Sequence, residues 1–405
     1  MSRTVDFSLL ERIDKLDLSA KNKEWLKAVK AAPWKIYADR ERWTVKSWRE
    51  TEGEDLQIRR AKLLKCILDN IEIKIHPFDE IVGRPTPGVI GCPTAIDVCG
   101  DYIPGLWEDD GEIEATLSAN VKIDRESLEI LRESVRCFRG KTAPEMTYKA
   151  WHELVGSWAR DLEAAKLKDP TLDSAITAQS TSVLCWPKIL KLGLRGFINE
   201  CQQKIDEFLA SGQTDINKVY FWKSAIIVLE AVIAHAHRYA ALARKMAAEE
   251  TDIKQKEHLL KIAEVCEYVP EYPARNFHEA LQSMAFCNLA KLLENPIQNY
   301  CHWGRADQYL YPYFINDLKN GIPLEKLASQ LSDLIGRWGT QTFISSSSQK
   351  ESHQINFGIN NIMVGGLNKD KEDSSNELSY LILHVISLLK LSSPTVTVRW
   401  HKKTP

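Results

Sequence analysis

The sequence predicts a helix-rich α/β fold, and its hydrophobic periodicity and its late strands both support this. Most of the chain places apolar residues three and four positions apart between charged ones, the period of an amphipathic helix. Short β-branched runs occur late, at 361–367 and 394–400. The 405 residues are 44% hydrophobic and 27% charged, as in ordinary globular proteins. One large α/β unit is therefore favoured over several small domains.

Helical segments are expected wherever this period continues between start and stop signals. They are 20–31, 55–70, 126–166, 218–250, 257–267, 277–293 and 323–338, and the first 70 residues are predicted to be helical throughout. Asn276, with Glu279 three residues on, has the spacing of a helix N-cap. The 218–250 segment is so apolar in its first half that we expect it to be packed on most sides.

Three segments break the helical period. Residues 71–82 (IEIKIHPFDEIV) alternate apolar and polar side chains, as a short strand does. The 83–105 stretch is rich in glycine and proline and is predicted to be a long loop, a type of segment that often has a functional role. The 173–187 stretch is polar and has no clear period.

Charge and cysteine content exclude several classes of protein. A formal net charge of −2 lacks the basic footprint of a nucleic-acid or anionic-membrane binder. The nine cysteines contain no CxxC pair, so neither a disulfide framework nor a metal site is indicated. The N-terminus has no signal-like apolar segment, and the most apolar run, 225–236, is interrupted by Glu230 and His235. No membrane association and a cytoplasmic location are expected.

Two polar stretches could contribute to a site. The first, 295–305 (NPIQNYCHWGR), combines amide, phenol, thiol and imidazole groups after an apolar helix, a composition found both in small-molecule pockets and in ordinary loops. The second, 343–357 (FISSSSQKESHQINF), has four consecutive serines and then a histidine. A mobile polar loop is the simpler interpretation of this second stretch.

An ordered series of motifs resembles a known family. The motifs are SWRETEGE at 47–54, DEIVG at 79–83, FHEALQ at 277–282, GRADQYLYP at 304–312 and KKTP at 402–405. In this order they resemble the N-terminal half of the glycyl radical enzymes, the pyruvate formate-lyase-like family. The resemblance covers about residues 40 to 405.

The family resemblance implies a ten-stranded α/β barrel and radical chemistry. In such enzymes a radical S-adenosylmethionine activase installs a radical on a glycine near the C-terminus. The radical then passes to a cysteine in a Gly-Cys-x-Glu type of motif, which abstracts hydrogen from the substrate. Neither motif occurs in this sequence. We therefore expect residues 1–40 to form an N-terminal helical extension and 41–405 the N-terminal half of the domain, truncated and with an incomplete barrel. No catalytic residue and no cofactor are assigned to this chain itself.

The N-terminal half of these enzymes supplies part of the substrate pocket. Asn299 and Tyr300 precede Arg305 by six and five residues, where the dehydratase branch has polar pocket residues. Relatives with a dehydratase role tend to have His-Ser or an Asp there. A neutral amide and a phenol are poor at taking a proton from a hydroxyl, so simple diol or hydroxyproline dehydration is not favoured.

The resemblance also places four other residues at the pocket. Ser182 is at the approximate position of an expected histidine, and Trp186 would make that wall bulkier and more apolar. His353 and Ile359 are expected to face the same cavity. The substrate-binding set implied by the resemblance is Ser182, Trp186, Asn299, Tyr300, His353 and Ile359, and its aromatic members favour an aromatic or otherwise apolar substrate.

Two functions follow from the resemblance. The first is the N-terminal portion of a glycyl radical lyase, performing radical cleavage or elimination on a small organic substrate. It would require a C-terminal half and an activating enzyme, and would be a homodimer when complete. The second is a non-catalytic remnant or a binding partner of a full-length relative. An open half-barrel exposes unpaired strand edges, which favours a partner over a monomer.

Overall fold

The computed structural model describes residues 5–99, 121–142, 182–295, 301–340 and 360–404, with the short pieces 145–146, 149–150 and 153–154. Helices dominate these ranges. They are α1 (Phe7–Asp14), α2 (Ala20–Ala31), α3 (Asp39–Glu50), α4 (Leu56–Asn70), α5 (Ile96–Cys99), α6 (Arg125–Phe138), α7 (Trp186–Ala210), α8 (Ile216–Glu249), α9 (Ile253–Tyr268), α10 (Phe277–Glu294), α11 (Ala306–Tyr309), α12 (Tyr311–Lys319), α13 (Leu324–Gly339) and α14 (Glu377–Leu389).

The strands are short and pair only in parallel within the described ranges. They are β1 (Trp34–Tyr37), β2 (Cys92–Pro93), β3 (Val121–Lys122), β4 (Ser182–Val183), β5 (Cys301–His302), β6 (Gly304–Arg305), β7 (Asn361–Gly365) and β8 (Thr395–Arg399). The prediction of a helix-rich α/β fold is confirmed, whereas these strands do not by themselves show a ten-stranded barrel. Strand β1, which lies between α2 and α3, corrects the prediction that the first 70 residues are entirely helical.

The described strands form three sheets, of two or three strands each. The last two are joined where the Trp303 amide donates to the Asn361 carbonyl at 3.1 Å, and we call them together the second sheet. In the first, β1 lies between β2 and β3. In the second sheet, β4 pairs with β5, and β6, β7 and β8 pair in that order. Strands β5 and β6 are separated only by Trp303, so together they run as one nearly continuous strand. Because all pairs here are parallel, the carboxyl ends of the strands lie at the same edge.

The helices form one main core against the second sheet. Trp25 of α2, Leu64 of α4, Tyr239 of α8 and Ile362 of β7 all belong to this core and are buried. Leu9 and Ile13 of α1 belong to it as well. The first 40 residues are thus packed into the same core as the rest; a boundary at residue 40 stays a prediction.

Most helix predictions are confirmed to within a few residues because they rest on caps and apolar stripes. The Asp55 carboxylate accepts a hydrogen bond from the Gln57 amide at 2.8 Å, at the start of α4. The Asn276 side chain does the same for the Glu279 amide at 2.9 Å, at the start of α10. The helix predicted at 126–166 is too long: α6 ends at Phe138, and most of the remainder lies outside the described residues.

The long helix α8 differs from the prediction in its first half. Phe221 is 61% exposed and Ile216 is 50% exposed, so this half is not packed on most sides. By length and composition α8 passes the test for a membrane-crossing helix. Its second half, however, is buried, where His235 Nδ1 and Arg238 Nη1 lie 2.6 and 2.5 Å from the Leu68 carbonyl oxygen of α4. We therefore assign α8 as a partly buried core helix.

The segment predicted as a strand at 71–82 forms no strand, because side chains satisfy its backbone groups. Asp333 Oδ2 accepts hydrogen bonds from the amides of Glu80 and Ile81, both at 2.7 Å. Gln282 both accepts from the Val82 amide and donates to its carbonyl, at 2.9 Å each. These buried groups replace the neighbouring strand that the alternation would otherwise require.

Candidate functional site

The second sheet has one face turned to the helices and one that no described element covers. In its register Asn361 pairs with Thr395, Met363 with Thr397, and Ile362 with Val396. Side chains alternate along a strand, so the first two pairs share one face. Ile362 is fully buried on the other face, whereas Thr395 and Thr397 are exposed. We call Asn361, Met363, Thr395 and Thr397 the open face.

The open face is polar and organised. The Asn361 amide nitrogen donates to Thr395 Oγ1 at 3.2 Å and to Thr397 Oγ1 at 2.9 Å. Thr395 Oγ1 in turn donates to the Asn360 carbonyl at 3.1 Å. The buried Asn360 side chain donates to the Trp338 carbonyl at 2.8 Å, at the end of α13. A short hydrogen-bonded chain thus connects the helix layer to the open face.

The end of β7 is held by a second set of polar groups. The Asp307 carboxylate accepts from the Gly365 amide at 2.7 Å and from Ser379 Oγ at 2.6 Å. Burial raises the pKa of Asp307, and the bond from Ser379 opposes that rise. Arg305 Nη2 donates to the Gly365 carbonyl at 3.0 Å. Gly366 has φ of +89°, and a Cβ there would lie 3.0 Å from Arg399 Cβ, so glycine is required at this turn.

A buried charged cluster lies beneath the loop that follows α4. We call Asp79, Arg84, Asp333 and Arg337 the Asp79 cluster. The Asp79 carboxylate is 3.0 Å from Arg84 Nη2 and 2.7 Å from Arg337 Nη2. Burial by itself would raise the pKa of Asp79, but Arg337 and Arg84 together hold it below its usual value. The two carboxylates and the two guanidinium groups neutralise one another. We therefore interpret the cluster as a structural support for the loop rather than as a reactive site.

A cavity of 520 Å³ lies among α4, α7, α8 and α10, on the helix side of the molecule. It is mostly apolar, and its lining includes Leu64, Ile189, Phe197 and Val228. The predicted pocket residue Trp186 is not part of its lining, whereas Leu184 and Cys185, which follow Ser182 in the chain, are. Its lining also includes four polar residues, Arg60, Lys291, Glu294 and Asn295. We place the candidate site at the open face because its polar groups lie together at the ends of parallel strands that pair in one sheet.

Trp186 is the one predicted pocket residue whose side chain the structure describes. It is fully buried at the start of α7, and its indole Nε1 donates to the His302 carbonyl at 3.3 Å. Its ring lies 6.1 Å from that of Trp338, which lies 4.4 Å from Trp303. Trp186 therefore packs within a group of three tryptophans behind β5 and β6. A pocket role for it stays a prediction.

The other predicted pocket residues are placed only in part or not at all. Ser182 lies on β4, where its backbone pairs with Cys301. Asn299, Tyr300, His353 and Ile359 lie outside the described residues. Within the described ranges, no group of three or more His, Cys, Asp or Glu side chains is placed to hold a metal ion.

Sequence reasoning identified the strands of the open face but missed its side chains. The alternation in NIMVG and TVTVR places Asn361, Thr395 and Thr397 on one side and the aliphatic residues on the other. That alternation was the available signal. Which of the two sides would be covered depended on helices distant in sequence.

Comparison with known proteins identifies the family. The family model described as pyruvate formate lyase-like matches residues 8–405. The chain belongs to this family. It is therefore a member of the glycyl radical enzyme group, which uses a glycyl radical. The resemblance identified from the ordered motifs is confirmed.

Two curated relatives show the extent of the match. The isethionate sulfite-lyase of Desulfovibrio desulfuricans is 31% identical over 388 residues, covering 92% of this chain and 45% of the relative. The trans-4-hydroxy-L-proline dehydratase of Clostridioides difficile is 27% identical, covering 89% of this chain and 45% of the relative. The chain spans about half the length of the curated relatives it matches.

Solved structures give the same picture. A Roseburia inulinivorans protein studied for 1,2-propanediol dehydration superposes with a TM-score of 0.85 at 26% identity, covering 95% of this chain and 47% of that one. A glycyl radical enzyme from Archaeoglobus fulgidus superposes with a TM-score of 0.84 at 29% identity, covering 95% and 48%. The fold described above matches the N-terminal half of such structures.

Proposed function

We propose that this polypeptide supplies the N-terminal half of the barrel of a glycyl radical lyase. The observation that carries the proposal is the combination of a polar open face with an exposed edge strand. Val398 of β8 is 50% exposed and the adjacent Trp400 is 74% exposed. Within the described ranges β8 pairs only with β7. An exposed apolar edge is a template for another strand, so a C-terminal half would continue the sheet from β8.

In this proposal the two halves have separate roles. The C-terminal half carries the thiyl cysteine and the radical glycine, which an activating enzyme equips for hydrogen abstraction. This chain binds and orients the small organic substrate through the open face and the pocket residues Ser182, Trp186, Asn299, Tyr300, His353 and Ile359. The complete enzyme is a cytoplasmic homodimer that cleaves or eliminates a group from its substrate. Residues 1–40 form an extension to the 41–405 domain.

The test is reconstitution with the sequence encoded directly downstream of this chain. We expect the two polypeptides to copurify. After anaerobic activation, the complex should give a glycyl radical signal in electron paramagnetic resonance, and the present chain alone should give none. A radical signal from this chain alone would contradict the division of roles.

The alternative is a non-catalytic binding partner of a full-length relative, which would use the same β8 edge. It is distinguished by the same experiment. A complex that forms with a full-length relative, but gives no radical-dependent turnover with a separate C-terminal half, would favour the alternative.

A further inference from the structure

The orientation of the Asn361 amide is determined by its neighbours. A threonine hydroxyl has one hydrogen, and that of Thr395 is used in the bond to the Asn360 carbonyl. Thr395 Oγ1 can therefore only accept from Asn361, and the Asn361 NH₂ group must face the two threonines. The amide oxygen consequently points away from them.

The open face thus presents one acceptor beside one donor. Among the described residues, Asn361 Oδ1 accepts no hydrogen bond. Thr397 Oγ1 accepts from Asn361, and its own hydrogen has no partner among those residues. A single hydroxyl group is both donor and acceptor, so one alcohol could bond to Asn361 Oδ1 and to the Thr397 hydroxyl together. A carboxylate or sulfonate cannot donate and would be repelled by the amide oxygen.

We propose that Asn361 and Thr397 form the subsite that binds a hydroxyl group of the substrate. The proposal rests on the proposed function in placing the open face inside a substrate cavity. It goes further by naming the two side chains and the substrate group that they contact. The two bonds from the Asn361 amide nitrogen to Thr395 and Thr397 orient its oxygen before the substrate arrives.

The experiment compares hydroxylated compounds with their deoxy analogues. The probe pairs are isethionate with ethanesulfonate, and trans-4-hydroxy-L-proline with L-proline. The variants are Asn361→Ala and Thr397→Val, with Thr397→Ser as the matched control that keeps the hydroxyl. The affinity of the reconstituted enzyme for both members of each pair is measured by isothermal titration calorimetry, which does not require either compound to be turned over.

We expect Asn361→Ala and Thr397→Val to raise Kd for the hydroxylated member of a pair about 10-fold, the effect of one lost hydrogen bond. The affinity for the deoxy analogue should be unchanged, and Thr397→Ser, which keeps the hydroxyl, should lose less affinity for the hydroxylated member than Thr397→Val. A Kd for the hydroxylated member that is unchanged in both variants would overturn the proposal. So would an equal loss of affinity for both members of a pair, since that indicates a structural role.

A separate binding measurement distinguishes failure of this proposal from failure of the proposed function. If the complex gives no radical signal, the proposed function fails, and binding of the same pairs to the purified chain is measured by calorimetry. Tighter binding of the hydroxylated member, lost in Asn361→Ala, would still support the hydroxyl subsite. Equal or absent binding of the two members would overturn it.

Discussion

The loop above the Asp79 cluster and the edge strand β8 differ in how their backbone amides are hydrogen-bonded. In the loop, the amides of Glu80 and Ile81 are satisfied by the buried Asp333 carboxylate of a distant helix. In β8 one row of backbone groups faces β7, and the alternate row, which includes the Val398 amide, faces outward. In the loop, side chains of this chain satisfy the backbone amides. In β8, the outward row is available to pair with another strand.

The largest effect is expected from breaking the loop support. Asp333→Ala removes the acceptor of two buried amides and one partner of Arg337, and should lower the free energy of unfolding by about 3 to 5 kcal/mol. The control is Glu133→Ala, which removes an exposed pair to Arg49 at 2.7 Å and should cost less than about 1 kcal/mol. Urea denaturation followed by circular dichroism measures both. Equal losses would show that the cluster does not support the loop.

The second effect is a loss of stability in acid. Burial lowers the pKa of His278 to about 4 and that of His235 to about 4, against 6.5 when unfolded. Because the unfolded chain binds these protons first, the stability contribution is complete above pH 6.5 and is lost as the pH falls towards 4. Each histidine should lower the free energy of unfolding by about 2 kcal/mol between pH 7 and pH 5.

The pH dependence is checked by urea denaturation at the two pH values. His278→Gln should reduce the difference between them by about 2 kcal/mol, since glutamine does not titrate and can still donate to the Glu80 carbonyl. A difference as large as that of the wild type would show that His278 is not the source.

The third prediction compares two valines that are partners in the sheet register. Val364 of β7 is 1% exposed beneath the helices, and Val398 of β8 is 50% exposed. Val364→Ala should cost about 1.5 kcal/mol, and Val398→Ala less than about 0.5 kcal/mol. If urea unfolding gives the same loss of unfolding free energy for both variants, the side chain of Val398 is as buried as that of Val364, which would contradict an exposed β8 edge.

The smallest effect on the chain itself is expected at the outward row of β8. The Thr395 amide donates to the Asn360 carbonyl at 2.8 Å, so the Val398 amide faces the other way. Val398→Pro should leave the unfolding free energy of the isolated chain nearly unchanged and abolish association with the C-terminal half, measured by copurification. Val398→Thr keeps the amide and is the control. Copurification of Val398→Pro at the wild-type level would contradict pairing through this edge.

The helices were predictable because their signals are local. The caps at Asp55 and Asn276 and the apolar stripes of α4, α10 and α13 are visible in the sequence. The prediction that the first half of α8 is packed on most sides was wrong for a related reason. Composition shows how apolar Phe221 and its neighbours are, but not how much of their surface other elements cover. The four pocket residues outside the described ranges stay predictions.

The sequence alone determined the helix-rich α/β class, most helix positions and, through the order of its motifs, the family. Only the tertiary structure decided that 71–82 is held by the side chains of Gln282 and Asp333, and that Asn361 lies on an open face while Ile362 is buried. The physical reason is the range of the interactions. Periods and caps act over a few residues, whereas the partners of a backbone amide and the cover of a sheet face come from residues hundreds of positions away.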